Sequence, residues 1–286
     1  MNSDALLCGN VGNFGVDKTV VAQAAYQAVM MFDTRTDRQH LKTVRFVNFD
    51  APTTSVFVAV CKSLHESSAA AVEVVGKREM DEAKSAEGGG LQSVPDTLKK
   101  WKTSETDNSV DAQLQTAGQS DAVQSESFTV SPRSLTAAEG WKPVAECADQ
   151  YKMVTPGGVA VEIYRGNLLD EKVDAIVNPA NSQLLHGGGA ARVIAEAAGS
   201  KLQDECRAYI SEHNELKVTQ AMHTTAGRLN PPVVYVIHVV GPSAADFSDP
   251  VDLHQAVFDS FYNCLLHANN HLEVSSMSIP AISSGE

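Results

Sequence analysis
Apolar residues recur at helical spacing between Lys18 and Phe32, with Val21, Ala25, Ala28, Val29 and Phe32 on one face, so the pattern predicts an amphipathic helix. Val44 to Phe49 reads as a strand and Thr53 to Leu64 as a second helix. The periodicity is lost over residues 66–148. That acidic stretch is rich in Ser, Ala, Glu, Asp, Gln, Thr and Lys, contains a glycine triplet at Gly88 to Gly90, and holds few large apolar residues apart from Trp101 and Trp141. Such a composition cannot bury enough surface to offset chain entropy, so a disordered linker is expected, with room for a short helix near Val72 to Ala86. From about Val154 strands, helices and turns alternate, the pattern of an α/β fold. Within it, Val173, Ala175, Ile176 and Val177 predict a short strand buried on both faces.

That strand leads to Asn178 and Asn181, and then to Gly187, Gly188 and Gly189, which open a helix spelled AARVIAEAAG. Open α/β sheets bind ligands at the carboxyl ends of their strands. Glycines there let the backbone approach a ligand closely and aim consecutive N–H groups at an anion, and the helix adds the positive end of its dipole. A diphosphate flanked by ribose-like polar groups suits this arrangement. A flexible turn capped by the asparagines is the plainer alternative.

Composition narrows the field. A chain of 286 residues has room for one or two domains, and 43% hydrophobic residues can furnish a core. No run is apolar enough to span a membrane, and the amino terminus lacks the basic and apolar blocks of a secretion signal, so a nuclear or cytosolic protein is expected. The formal charge of −13 argues against sequence-independent binding to nucleic acid. Cys8, Cys61, Cys147, Cys206 and Cys264 show no C-x-x-C or paired Cys/His spacing, so neither a zinc site nor a disulfide framework is expected. The chain contains no G-x-S-x-G elbow, no H-E-x-x-H helix and no G-x-x-x-x-G-K-[ST] loop. His186 reads as a loop side chain facing water, and His238, alternating within YVIHVVGP, as a core histidine.

Residues 161–242, from VEIYRGNLLDEKVDAIVNPAN through GGGAARVIAEAAG to VIHVVGP, resemble the macrodomain, a module that binds ADP-ribose. The wording is most similar to the tandem macrodomains of the macro-PARP (BAL-type) proteins. The resemblance implies a mixed sheet flanked by helices, with ADP-ribose or mono-ADP-ribosylated proteins as partners and no metal or cofactor. It implies ligand contacts from Asn167 and Leu168, where an Asp facing the adenine amine is usual, and an uncharged amide makes that contact less selective. A helix cap is the other reading of Asn167. Asn181 matches the asparagine facing the distal ribose, with Asn178 supporting the turn, while Gly187, Gly188, Gly189 and Ala190 match the loop around the proximal ribose and phosphates. Val240 and Gly241 would line the rim. No catalytic residue is implied, because Ala191 stands where the related mono-ADP-ribosyl hydrolases carry an Asp. Three classes stay open: a reader of ADP-ribose, a hydrolase, and an interaction scaffold with a vestigial pocket.

The two ends of the chain also resemble complementary pieces of that module. Residues 149–286 read as a macrodomain that stops at the strand SMSIPAISSGE, and residues 1–65 as the carboxyl-terminal part of one, beginning at a glycine turn. The second phosphate loop is accordingly offered twice, by Ser283, Ser284 and Gly285 or by Gly12, Asn13, Phe14 and Gly15. Two arrangements are open: a piece of a longer tandem protein carrying two partial modules, or one permuted, composite module closed across the linker.

Overall fold
Asp17 accepts a hydrogen bond from Thr19 N at 2.8 Å and so caps helix α1, Lys18–Asp33, whose Val21, Ala25, Val29 and Phe32 are fully buried. Strand β1, Thr43–Asn48, follows. Helix α2 then covers residues 51–67, its first turn held by Asp50 Oδ1, which accepts from Thr53 N at 2.8 Å. These are the expected elements, with α2 running slightly past Leu64 into the stretch assigned to the linker. The computed structural model describes residues 14–67 and 150–285. The remainder of the linker, with Trp101, Trp141 and the expected helix near Val72, lies outside the described residues.

The second segment supplies β2 (Gln150–Val154), β3 (Ala160–Arg165), β4 (Ala175–Ala180), α3 (Gly189–Ala198), α4 (Ser200–His213), β5 (Ala221–Thr225), β6 (Tyr235–Val240), α5 (Pro250–Asn270) and β7 (Ser276–Ile279). All strands join one seven-stranded sheet of order β2-β3-β1-β7-β4-β6-β5. The strand from the amino-terminal segment is interior. Thr43 of β1 pairs in parallel with Ala160 of β3 on one side and Ser276 of β7 on the other. Strands β3, β1, β7, β4 and β6 are parallel, and only the outer β2 and β5 run antiparallel. The fold is α/β, as the pattern predicts, and it is the mixed sheet flanked by helices that the macrodomain resemblance implies.

Alternation along the parallel strands sorts the core into two layers. Ala175 and Val177 of β4 and Ile237 and Val239 of β6 face the layer that holds buried residues of α1, α2 and α5. Ile176, Ala180, Val236 and Val240 face the layer built with α3 and α4. Residues distant in sequence meet throughout the first layer. The Phe46 ring of β1 lies 5.8 Å from that of Phe57 in α2 and 5.9 Å from that of Phe261 in α5. Polar contacts stitch the same seam: Asp33 Oδ2 accepts from Gly157 N at 2.6 Å, and Asn269 Oδ1 accepts from the backbone N–H groups of Gln39 and His40 at 3.2 and 3.1 Å. The described parts of the two segments therefore form one sheet and one core unit, not two partial ones.

Candidate functional site
Because five adjacent strands are parallel, their carboxyl ends share one edge of the sheet. From β4 the chain turns toward α3 on one face, and beside β7 the approach to α1 lies on the other. Strands β4 and β7 are neighbours, with Ala175 opposite Met277. Loops that diverge to opposite faces from adjacent parallel strands leave a crevice between them, the usual ligand position in open α/β sheets.

One wall of the crevice is the loop after β4. Asn181 is exposed, but its Oδ1 accepts from Leu185 N at 2.9 Å and its Nδ2 donates to Leu185 O at 2.8 Å, so the amide braces the loop. Gly189 opens α3 at φ 53, a left-handed conformation that favours glycine. Gly188 caps α3 with no side-chain hydrogen bond, which leaves the N–H groups of the first turn available to an anion. Gly187 and Ala190 are exposed, whereas Ala191 is turned inward at 8% exposure.

The other wall is made where residues 14–16 meet residues 283–285. Gly15 N donates to Gly285 O at 3.4 Å, Val16 N to Ser283 O at 3.2 Å, and Ala244 N to Phe14 O at 2.7 Å. The two expected alternatives for the second phosphate loop are thus one place, although Gly12 and Asn13 lie outside the described residues. Ser284 folds back, its hydroxyl donating to Ala281 O at 3.0 Å. Gly241, at the end of β6, presses on this wall: a Cβ there would come within 2.3 Å of Ser283 Oγ and 2.6 Å of Ile282 Cγ2. Ser283 itself is buried at φ 66, and its Oγ has no hydrogen-bond partner among the described residues.

At the end of β3, Asn167 caps a single 3-10 turn, Leu168–Asp170: its Oδ1 accepts from Leu169 N at 3.2 Å and its Nδ2 donates to Asp170 at 3.0 Å. The cap reading of Asn167 is what the geometry shows, and Leu168 packs its side chain on the α3/α4 core. Two residues that sequence reasoning missed sit beside it at the end of β1. Phe49 is 67% exposed, and its carbonyl accepts from Arg165 Nε at 3.3 Å. Asn48 is buried with neither amide atom paired among the described residues. An exposed aromatic after an orphaned buried amide in VNFD was the available signal, but it points to this edge only once β1 is known to lie against β3.

Three expectations need correction. Strand β4 runs through Asn178 and Pro179, so Asn178 supports no turn: it is fully buried, and its Nδ2 meets Nδ1 of His238 at 2.9 Å. Parity explains this, since Asn178 shares the inward face of β4 with Ile176 and Ala180. His186 does not face water. It is half-buried, its Nδ1 bonded to Gln203 Oε1 at 2.8 Å and its ring edge-on to His238 at 5.5 Å. Val240 is buried in the α3/α4 layer and offers no side chain to a rim, leaving that place to Gly241. His238 is the core histidine expected, fully buried with Thr224 Oγ1 at 3.0 Å from its Nε2.

The family model described as Macro domain matches residues 177–286, which contain both the glycine run and the loop at Ser283. That stretch belongs to the Macro domain family. Among relatives, an uncharacterised Thermotoga maritima protein is 41% identical over 128 residues, covering 45% of this chain and 20% of that one. Mouse ADP-ribose glycohydrolase MACROD1 is 40% identical over 125 residues, covering 44% of this chain and 36% of its own length. An Oceanobacillus iheyensis macrodomain solved with ADP is 31% identical with a TM-score of 0.42, covering 48% of this chain and 70% of that one. The chain spans from a fifth to about two thirds of the length of the first curated relatives it matches.

Proposed function
We propose that the chain binds ADP-ribose, free or attached to a protein, in the crevice between the loops after β4 and β7. What carries this is the placement of two backbone-lined loops, Gly187 to Ala190 with the start of α3 and Ser283 to Gly285 with Gly15, after the neighbouring parallel strands β4 and β7. Backbone N–H groups and a helix amino terminus suit a diphosphate without a metal or cofactor. Similarity to the mouse ADP-ribose glycohydrolase MACROD1 supports the same ligand. In this reading the adenine lies on Phe49 near Asn167, the diphosphate between the walls, and the distal ribose beside Asn181. Gly12 and Asn13 would extend the second wall. The segment ending near residue 65 then acts as the carboxyl-terminal part of the module, and 34% identity over 150 residues to human mono-ADP-ribosyltransferase PARP14 supports kinship with macro-PARP modules.

Hydrolysis is the second reading, favoured by 40% identity to the mouse glycohydrolase. Ala191 supplies no group to orient or deprotonate water, so recognition without turnover is the reading we adopt. Calorimetric titration of ADP-ribose into the full chain and into Gly188→Glu tests it. Gly188 has an extended backbone, φ −164, which any residue adopts, so the substitution adds no backbone strain while its carboxylate is placed at the end of α3 that would hold the phosphates; circular dichroism checks that the variant is folded. Binding by the parent and none by the variant is expected. A folded parent that takes up no ADP-ribose overturns the proposal, and release of ADP-ribose from a mono-ADP-ribosylated protein would establish the second reading instead.

A further inference from the structure
The cysteines and histidines have no metal-binding spacing along the chain, yet folding brings three of them to one point. His186 comes from the loop before Gly187, Cys206 from α4 and His238 from β6, and their ligand atoms all lie within 4.8 Å of one another. Cys206 Sγ is 3.9 Å from His238 Nε2. Both imidazoles are held from behind by an amide. Gln203 Oε1 lies 2.8 Å from His186 Nδ1, which places the proton there and leaves Nε2 as a bare lone pair, and that Nε2 is buried without a hydrogen-bond partner among the described residues. Asn178 lies on His238 Nδ1 at 2.9 Å, and its buried Oδ1 is likewise unpartnered. With Nδ2 on Nδ1, the His238 ring proton is on Nε2; turning the Asn178 amide end for end lets Oδ1 accept from an Nδ1–H, moves the unpartnered place to Nδ2, and turns an Nε2 lone pair toward the sulfur. Metal-ligating histidines have the far ring N–H fixed by an acceptor, usually a carboxylate, a backbone carbonyl or water, and here an amide oxygen would serve for each ring.

We propose that His186 Nε2, Cys206 Sγ and His238 Nε2 bind a zinc-class divalent cation. Tetrahedral zinc with Zn–N and Zn–S bonds of about 2.0–2.3 Å holds its ligand atoms about 3.4–3.6 Å apart. The sulfur and His238 are within a few tenths of an ångström of that spacing, and the remaining closure falls to His186, which sits in a loop. The fourth position goes to water or to the Thr224 hydroxyl, now 3.0 Å from His238 Nε2. Burial keeps His238 neutral, with its pKa down to about 3, as a nitrogen ligand requires. The same burial raises the Cys206 thiol to about 12, so the cation must displace the thiol proton, and binding releases about one proton per ion. A cation here would tie the segment leading into the glycine run to α4 and β6, steadying one wall of the crevice. The inference stands whether or not that crevice binds ADP-ribose.

The test is titration of the full chain, stripped with chelator, with Co2+ read by absorption and with Zn2+ in competition with a chromophoric chelator. Expected are a thiolate-to-cobalt charge-transfer band saturating near one equivalent, release of a proton into weak buffer, and a higher melting temperature in Zn2+. Cys206→Ser should lose the charge-transfer band, and His186→Ala should weaken zinc binding by at least roughly tenfold with an unchanged circular dichroism spectrum, given the 10–100-fold effects seen even for outer-shell partners. Retention of the band in Cys206→Ser, zinc affinity unchanged in His186→Ala, or a parent chain that gives no thiolate band would each overturn the proposal. Should Cys206→Ser fail to fold, His186→Ala decides alone, because its ring is only half-buried.

Discussion

Gly241 has no side chain because Ser283 and Ile282 occupy the space where one would begin. Gly241→Val is expected to push the Ser283 loop away, lowering ADP-ribose affinity by tenfold or more on the order of magnitude of 1.4 kcal/mol per decade, with circular dichroism retained; calorimetry beside the parent checks it. His238 carries a different prediction. Desolvation, reinforced by His186 and His223, holds its pKa down to about 3 against an unfolded value near 6.5. Between those two values the unfolded chain takes up a proton that the folded chain refuses. Stability should therefore be fully present above about pH 6.5 and fall as pH drops toward 3, by up to about 1.4 kcal/mol per pH unit from this group. Urea unfolding of the chelator-stripped chain at pH 7 and pH 5 measures the slope, and His238→Gln should flatten it; an equal slope in the variant would place the dependence on other groups. Residue identities such as the glycine run and Asn167 were readable in advance, whereas the inward turn of Asn178 and His186 was not. Strand parity and packing against α4 decide where those side chains point, and neither is a local property.

At the level of elements, α1, β1 and α2 follow from apolar periodicity and from Asp17 and Asp50 at the helix starts. What periodicity lacks is the partner. Strand β1 is flanked on both sides by strands more than a hundred residues away in sequence, and Phe46 fills the space between α2 and α5. Phe46→Ala is expected to cost about 3–5 kcal/mol through the cavity it leaves. Denaturant midpoints give the comparison, and a loss under about 1 kcal/mol would mean that β1 is not seated in the core. Helix α3 behaves otherwise: its first turn has no side-chain cap, a local weakness that leaves its N–H groups for a ligand.

For the whole molecule, the sheet needs both segments. Removing β1 would separate β3 from β7 and expose the faces of α5 and the sheet that α1 and α2 cover. Each of the large buried side chains involved, Val29, Phe32, Phe46 and Phe57, contributes about 1.5–3 kcal/mol. Their sum rivals the 5–15 kcal/mol that holds a typical domain together. Residues 150–286 alone should thus melt without a cooperative transition, while residues 1–67 and 150–286 produced as separate chains should co-purify and regain one. A cooperative melt of 150–286 alone would show that the first segment is dispensable. Covalent connection through the intervening stretch matters less, since the entropy of closing a loop grows only with the logarithm of its length.

The sequence by itself determined the α/β class, the main helices and strands, and the glycine-rich loop before α3, because these depend on periodicity, caps and backbone freedom within a few residues. It also offered two places for the second wall of the crevice without choosing between them. Tertiary structure decided that the two are adjacent, that Phe49 stands at the same edge, and that His186, Cys206 and His238 converge beneath the glycine run. Each of those outcomes depends on which strands pair and on which face each side chain emerges. Those are long-range choices settled by burying both faces of one sheet, and no window of the chain contains them.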